Sequence, residues 1–216
     1  MFDQTFAIER GGPKRLLVRR RWRWKQVEPV LDGQSLGSPV PNMATLRSGR
    51  GYKLPDGREL FLSFQKKFIG SGLALTLDGR PVAGAANDPR MAVRGAGKLL
   101  WFLAGLNLLI GLAAYAARDD EGAQTMAITG GAVAVLFAGL GFAVYRYRSR
   151  LALAVAVLIE VADGVALFAL REEGDPPPTN GLVMRVIIIV VLVRALRAVA
   201  AAHRLDRDEK VEDAFR

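Results

Sequence analysis

The sequence contains no cysteine and a single histidine, His203. Without cysteine the chain has no disulfide, no thiolate metal ligand and no cysteine nucleophile. One histidine cannot build a histidine-rich metal site, and no serine stands in the strand-to-helix turn that serine hydrolases use. Gly11-Gly12 and Gly130-Gly131 lack the spacing of phosphate-binding or dinucleotide-binding loops. We therefore expect no enzymatic activity, no metal and no cofactor.

Positive charge is distributed unevenly along the chain. Residues 1–98 hold 18 lysines and arginines against 8 acidic residues, whereas residues 99–216 hold 12 against 13. The first ten residues include no apolar run of the length that a cleavable signal peptide requires. The sequence therefore predicts a basic first domain that stays in the compartment where it is made, with a boundary near Lys98.

Four long apolar segments follow this boundary, at residues 99–117, 126–145, 151–170 and 181–202. A helix of about 20 apolar residues crosses the roughly 30 Å hydrocarbon core of a bilayer. Over such uninterrupted runs only a helix satisfies its own backbone groups in lipid. The sequence predicts an α+β membrane protein, in which a small antiparallel β-sandwich or barrel precedes a four-helix transmembrane bundle.

The charges between the segments predict the orientation of the bundle. Arg146, Arg148 and Arg150 lie between the second and third segments, whereas acidic loops at 118–121 and 171–175 follow the first and third. Lysine and arginine concentrate in short cytoplasmic loops. We therefore expect a multi-pass protein of the cell (inner) membrane. Its N-terminus, its 146–150 loop and its tail, residues 204–216, are predicted to be cytoplasmic.

Residues 1–90 have the pattern of short strands, and residues 91–98 are predicted to connect them to the helices. In the clearest strand, residues 15–27, Leu16, Val18, Trp22 and Trp24 occupy even positions. Successive side chains of a strand point to opposite faces, so these apolar groups are expected to be buried. The odd positions form a predicted basic stripe on the other face: Arg15, Arg19, Arg21, Arg23 and Lys25.

Further alternation and turn signals extend this pattern. Leucines or phenylalanines recur at every second residue in 60–64 and 73–77. Asp32-Gly33, Asp56-Gly57 and Asp78-Gly79 lie beside these strands, and glycine supplies the positive φ that tight hairpins need. An antiparallel sandwich or barrel is the natural assembly of such hairpins.

The tandem Asp-Gly hairpins that follow an aromatic, basic strand resemble the β-domains of the Fas apoptosis inhibitory molecule type. The resemblance covers residues 15–88 and is carried by Trp24, Asp32-Gly33, Asp56-Gly57 and Asp78-Gly79. The whole layout resembles bacterial multi-pass membrane proteins. The resemblance implies a β-domain, and no activity or site is carried over from it.

The basic stripe has two balanced interpretations. Anionic lipid attracts lysine and arginine near a membrane by about 1 kcal/mol each, so the stripe is a candidate for docking on headgroups. A solvated face without a partner explains it equally well. Nucleic-acid binding is disfavoured, because the alternation places the tryptophans and arginines on opposite faces and separates stacking from charge.

A second candidate site lies within the apolar segments. Glu160 and Asp163 are three residues apart and share one helix face. Counting depth from the segment ends predicts a pair between Glu160 and Arg194, with Arg197 one turn away and Arg185 on the opposite side of its helix. Charges at this depth are costly unless paired, so the cluster is expected to face the bundle interior.

Two functions follow from these features. In the first, the cytoplasmic β-domain is an interaction or sensing module coupled to the helices, with a protein partner or a second copy of the chain as candidates. In the alternative, the chain is a small channel or transporter component that uses Glu160, Asp163 and Arg194. The cluster could also be a structural lock between the two helices, which is the reading that the absence of internal repeats favours.

Overall fold

The computed structural model describes residues 2–8, 12–66, 71–117, 121–169 and 179–214. The chain divides into two compact units, Met1–Met91 and Ala92–Arg216. The first unit contains all the strands, and the second consists of helices.

The first unit is built from two antiparallel sheets of four strands each. One sheet holds β1 to β4 in chain order, and a short helix, α1 (Met43–Ser48), leads to the other sheet, which holds β5 to β8 in chain order. The strands are β1 Phe2–Phe6, β2 Leu16–Arg21, β3 Lys25–Leu31, β4 Gln34–Ser35, β5 Arg50–Lys53, β6 Glu59–Lys66, β7 Ser71–Leu77 and β8 Arg80–Pro81.

Both sheets contribute to one hydrophobic core. Leu16 and Val18 of β2 are buried in the same cluster as Leu60 and Leu62 of β6 and Leu75 of β7. The predicted alternation is therefore confirmed for Leu16 and Val18 of β2 and for Leu60 and Leu62 of β6. In β7 the predicted Leu73 and Leu75 are buried, but Ala74 between them is buried as well. The predicted small antiparallel β-domain is likewise confirmed.

The Asp-Gly pairs lie at turns, as predicted. Asp32 and Gly33 both have positive φ, 49° and 84°, and join β3 to β4. Asp78 and Gly79 repeat this geometry between β7 and β8, at 48° and 79°. Two successive positive φ angles match the twist of the flanking strands, which is why this dipeptide closes hairpins.

The predicted strand over residues 15–27 is wrong in its second half. Strand β2 ends at Arg21, a 3-10 turn covers Trp22–Trp24, and β3 runs back antiparallel from Lys25. Trp24 has a positive φ of 62°, which lets the chain reverse without glycine. The reversal breaks the alternation, so Trp22 is exposed rather than buried.

The second unit consists of four long helices: α2 (Pro89–Ala117), α3 (Glu121–Tyr147), α4 (Arg150–Ala169) and α5 (Thr179–Ala214). Helix α2 begins in the first unit, so residues 91–98, predicted as a connector, are helical. The predicted tail from residue 204 continues α5 as far as Ala214. The acidic loop residues 118–120 and 171–175 lie outside the described residues.

Two helices are long and apolar enough to cross a membrane, over residues Pro89–Ala116 and Gly122–Tyr147, in the part of the chain that the structure describes. The prediction counted four spanning segments. The structure therefore supports membrane-spanning length and composition for two helices, and a four-helix transmembrane bundle is not established by it.

Glycines bring α2 and α3 into backbone contact. A Cβ atom on Gly130 would lie 3.0 Å from the backbone oxygen of Asn107 and 3.0 Å from Cα of Gly111. At the other end of the helix pair, a Cβ on Gly97 would lie 3.3 Å from the backbone oxygen of Gly141. Small residues at such crossings permit close helix packing in membranes.

Candidate functional sites

Two carboxylates and one arginine meet between α4 and α5. Arg185 of α5 forms an ion pair with Asp163 of α4. Glu160, one turn before Asp163, has an exposed fraction of only 6%, and Arg185 interacts with it electrostatically. The prediction that Arg185 points away from this cluster is therefore wrong, because Arg185 is the arginine that the structure brings to the two carboxylates.

The predicted arginines lie elsewhere on α5. Its buried row consists of Ile188, Leu192, Ala195 and Val199, whereas Arg194 and Arg197 are exposed. Arg194 and Arg185 do face opposite sides of the helix, as the nine-residue spacing predicts. The structure brings Arg185 to α4, where it forms an ion pair with Asp163. The pair of Glu160 with Arg194 stays a prediction.

A second ion pair lies in the turn between α3 and α4. Arg148 adopts a positive φ of 50° after α3 and forms an ion pair with Asp206 of α5. Ser149 then starts α4, because its Oγ accepts a hydrogen bond from the backbone N–H of Ala152 at 3.2 Å. The pair fastens this two-residue turn to the last helix of the chain.

The predicted basic stripe is divided by the fold. Arg15 donates from Nε to Oδ1 of Asp32 at 2.7 Å, at the end of β2 away from the 3-10 turn. Arg19 stands across from Asp3 on one side and Glu28 on the other. Acidic neighbours therefore accompany these two arginines, and the side chain of Arg23 lies outside the described residues.

Arginines also hold the carboxylates of two Asp-Gly turns. The hydrogen bond from Arg15 lowers the pKa of Asp32 from its ordinary value of 3.8, and the hydrogen bond from Arg58 lowers the pKa of Asp56 in the same way. A carboxylate with a lowered pKa stabilises the fold above its unfolded pKa. That stabilisation is lost as the pH falls through the folded pKa.

We therefore expect the melting temperature of the first unit to fall below about pH 4. The Asp32→Asn, Asp56→Asn double variant should show a smaller fall over the same range. Tryptophan fluorescence in a Trp101→Phe background measures this, because the signal then comes from Trp22 and Trp24. The Arg15→Gln, Arg58→Gln double variant should show an equally small fall of the melting temperature. If both double variants kept the wild-type pH dependence, the two aspartate–arginine pairs would not be its cause.

The end of the β2–β3 hairpin gathers aromatic and basic side chains, which we term the tip cluster: Phe2, Arg20, Arg21, Trp22, Trp24 and Lys25. The guanidinium of Arg20 lies 4.0 Å from the ring centroid of Trp24 and 5.2 Å from that of Phe2. The rings of Phe2 and Trp22 are 6.2 Å apart. Exposed fractions of 69% for Trp22 and 48% for Phe2 show that both rings face outward.

The tip cluster was only partly predictable. Arg21 and Lys25 belong to the predicted stripe, but Arg20, at an even position, was not singled out. The observed contact of Arg20 with Trp24 also removes the argument that this strand separates aromatic from basic groups. A run of three arginines before two tryptophans is the signal that could have drawn attention to it.

A cleft of about 500 Å³ opens beside the tip cluster and is lined by Arg21, Trp22, Lys25, Gln26 and Pro41. Arg21 and Lys25 are directly opposite each other in the hairpin register. Like charges in this position are destabilising. An anion in the cleft would relieve their repulsion.

Aromatic side chains also collect at one end of the α2–α3 pair. The rings of Trp101 and Tyr145 are 5.0 Å apart, and the guanidinium of Arg146 lies 5.8 Å from the ring centroid of Tyr147. This group is named the helix-end belt: Trp101, Tyr145, Arg146 and Tyr147. All three rings are exposed.

Among the described residues no three carboxylates or histidines come together as a set of metal ligands. Comparison with known proteins found no matching family model, no matching curated protein and no matching solved structure. The resemblance to β-domains of the Fas apoptosis inhibitory molecule type therefore stays a prediction.

Proposed function

We propose that this chain is a multi-pass protein of the cell membrane, in which a cytoplasmic β-domain acts as an interaction or sensing module coupled to a bundle of four helices. The first unit, with its own hydrophobic core, would be the module. Helices α2 to α5 would be the membrane part, with both termini in the cytoplasm.

The observation that carries the proposal is the apolar outer surface of the helices. Ile128 and Val135 of α3 have exposed fractions of 75%, and Leu151 and Leu158 of α4 are also mostly exposed. Leu109 of α2 is likewise exposed. Soluble proteins rarely expose contiguous apolar surface of this kind, because water disfavours it. A bilayer is the surrounding that stabilises such side chains.

The helix-end belt supports the orientation. Tryptophan and tyrosine favour the headgroup region, where one part of the ring is apolar and the other polar. Arg146 and Arg148 follow at the turn between α3 and α4, and lysines and arginines concentrate on the cytoplasmic side. This end of the helices is therefore assigned to the cytoplasmic leaflet, and the β-domain is assigned to the cytoplasm.

Helix α2 supports the coupling between the units. It starts at Pro89, where Asp88 accepts a hydrogen bond from the backbone N–H of Arg90 at 3.0 Å and another from that of Gly84 at 2.9 Å. Asp88 and Arg90 are both buried. The chain thus leaves the β-domain inside a capped helix rather than a loose loop. A change at the β-domain can then bias helix packing through α2.

Complementation tests the proposal. In cells that lack the chain, the full sequence should restore the wild-type phenotype, and a variant without residues 2–81 should not. The truncated chain retains Asp88 and all four helices, so its abundance in the membrane fraction should equal that of the full chain and serves as the control. Restoration by both chains would overturn the role of the β-domain, and recovery of the full chain in the soluble fraction would overturn the membrane assignment.

A second function, transport of ions or protons, is favoured by one observation. Glu160 is a buried carboxylate one helical turn from the pair of Asp163 and Arg185. Ionisable groups within membrane helices often line ion or proton pathways. A homo-oligomer could enclose such a pathway, and flux into vesicles that contain the full chain is the measurement that separates this function from the first.

A further inference from the structure

We propose that the tip cluster is a docking site for anionic phospholipid headgroups, through which the β-domain binds the surface of the bilayer that holds its own helices. The cleft with Arg21 and Lys25 would hold the headgroup phosphate, and Phe2 and Trp22 would enter the headgroup region. This inference rests on the proposed membrane location of the helices.

The first argument is the charge that the fold leaves unbalanced. Among the described residues Arg20, Arg21 and Lys25 form no ion pair with a carboxylate, whereas Arg15 is held by Asp32. The buried Nε of Arg20 donates no hydrogen bond to any described residue. That Nε is closed off from a lipid, whereas Arg21 and Lys25 are both exposed and can donate hydrogen bonds to phosphate oxygens.

The second argument is the exposure of the rings. Trp22 and Phe2 lie together at the surface, where water solvates their apolar faces poorly. Tryptophan is enriched at membrane interfaces, because its ring has an apolar body and a polar N–H group. A site for small soluble anions would need the cations but not the outward-facing rings.

The third argument favours lipid over other polyanions as the ligand of the tip cluster. Nucleic acid and acidic peptides also bind arginine and tryptophan, but they would have to be captured from solution. Tethering to membrane helices instead gives the tip cluster a high effective concentration of lipid. Each lysine or arginine near an anionic surface gains about 1 kcal/mol, which is about a five-fold change in binding per cation.

Hydrogen–deuterium exchange of the full chain in lipid nanodiscs tests the inference. In discs of equal parts phosphatidylcholine and phosphatidylglycerol, the backbone amides of residues 20–26 should exchange more slowly than in discs of phosphatidylcholine alone. Replacing Arg21 and Lys25 by glutamine should weaken docking by about twenty-five-fold and remove this difference. The matched control replaces Lys14 and Lys53, which are exposed lysines outside the tip cluster, and should retain it.

Each other outcome is decisive. Equal exchange in both kinds of disc, or a difference that survives the Arg21 and Lys25 substitutions, would overturn lipid docking. Protection that appears only when a short RNA or an acidic peptide is added to phosphatidylcholine discs would overturn it in favour of that ligand. Unchanged exchange in β6 and β7 shows that the variants are folded. If the chain does not enter nanodiscs at all, the proposed membrane location fails instead.

Discussion

Replacing Gly130 with leucine is expected to abolish most of the folded full chain that can be recovered in detergent. The new side chain would begin 3.0 Å from the backbone of Asn107 and of Gly111, so that α2 and α3 would have to separate. Overpacking a rigid interface usually costs about 1–3 kcal/mol. Here the neighbouring atoms belong to the backbone and cannot move aside by changing rotamer, which places the effect at the upper end.

The neighbouring glycine provides the control for this variant. A Cβ on Gly131 meets nothing within 4 Å, so Gly131→Leu should leave the folded yield and the melting temperature unchanged. Size-exclusion chromatography after stepwise heating measures both variants side by side. Equal yields from the two leucine variants would show that α2 and α3 do not depend on this contact.

Replacing Arg185 with glutamine is the second substitution with a large expected effect. The Arg185→Gln variant leaves Asp163 without its ion pair and Glu160 without a neighbouring cation. In the proposed membrane location of α4, a carboxylate without compensation costs about 3 kcal/mol. We expect a clear loss of folded yield, and recovery in the charge-swapped Asp163→Arg, Arg185→Asp variant.

The same preparations separate a structural from a transport role. Arg197→Gln removes an exposed cation from the same helix and should fold normally. Recovery in the swapped variant would make the Asp163 and Arg185 pair a lock between α4 and α5. Normal folding of Arg185→Gln together with loss of flux in vesicles would contradict the lock and favour transport.

Much of the fold follows from local sequence patterns. Alternation in residues 60–64 and 73–77 predicts the burial of Leu60, Leu62, Leu73 and Leu75, because a strand places every second residue on the same face. The Asp-Gly pairs predict three turns, because few other residues adopt positive φ at low cost. These features depend only on residues close together in the chain, which is why they could be derived without knowing the fold.

The tip cluster and the group of Glu160, Asp163 and Arg185 depend on contacts between residues that are distant in the sequence. No glycine, proline or asparagine marks the reversal at Trp22–Trp24, so the alternation was continued past the point where the chain turns. The nine-residue spacing correctly predicts that Arg185 and Arg194 lie on opposite faces of α5. Side-chain packing of Leu192 and Ala195 against α4, which counting from segment ends cannot reveal, decides which arginine faces inward.

The ion pair between Arg148 and Asp206 has a consequence for the order in which the molecule is completed. The two residues are 58 positions apart in the chain. At about 5–20 residues per second, a ribosome adds Asp206 roughly 3–12 seconds after Arg148. During that interval Arg148, in the turn between α3 and α4, cannot form its ion pair with Asp206. Closure of the pair therefore requires the last helix to be in place, and a chain truncated before residue 206 would leave Arg148 without this ion pair.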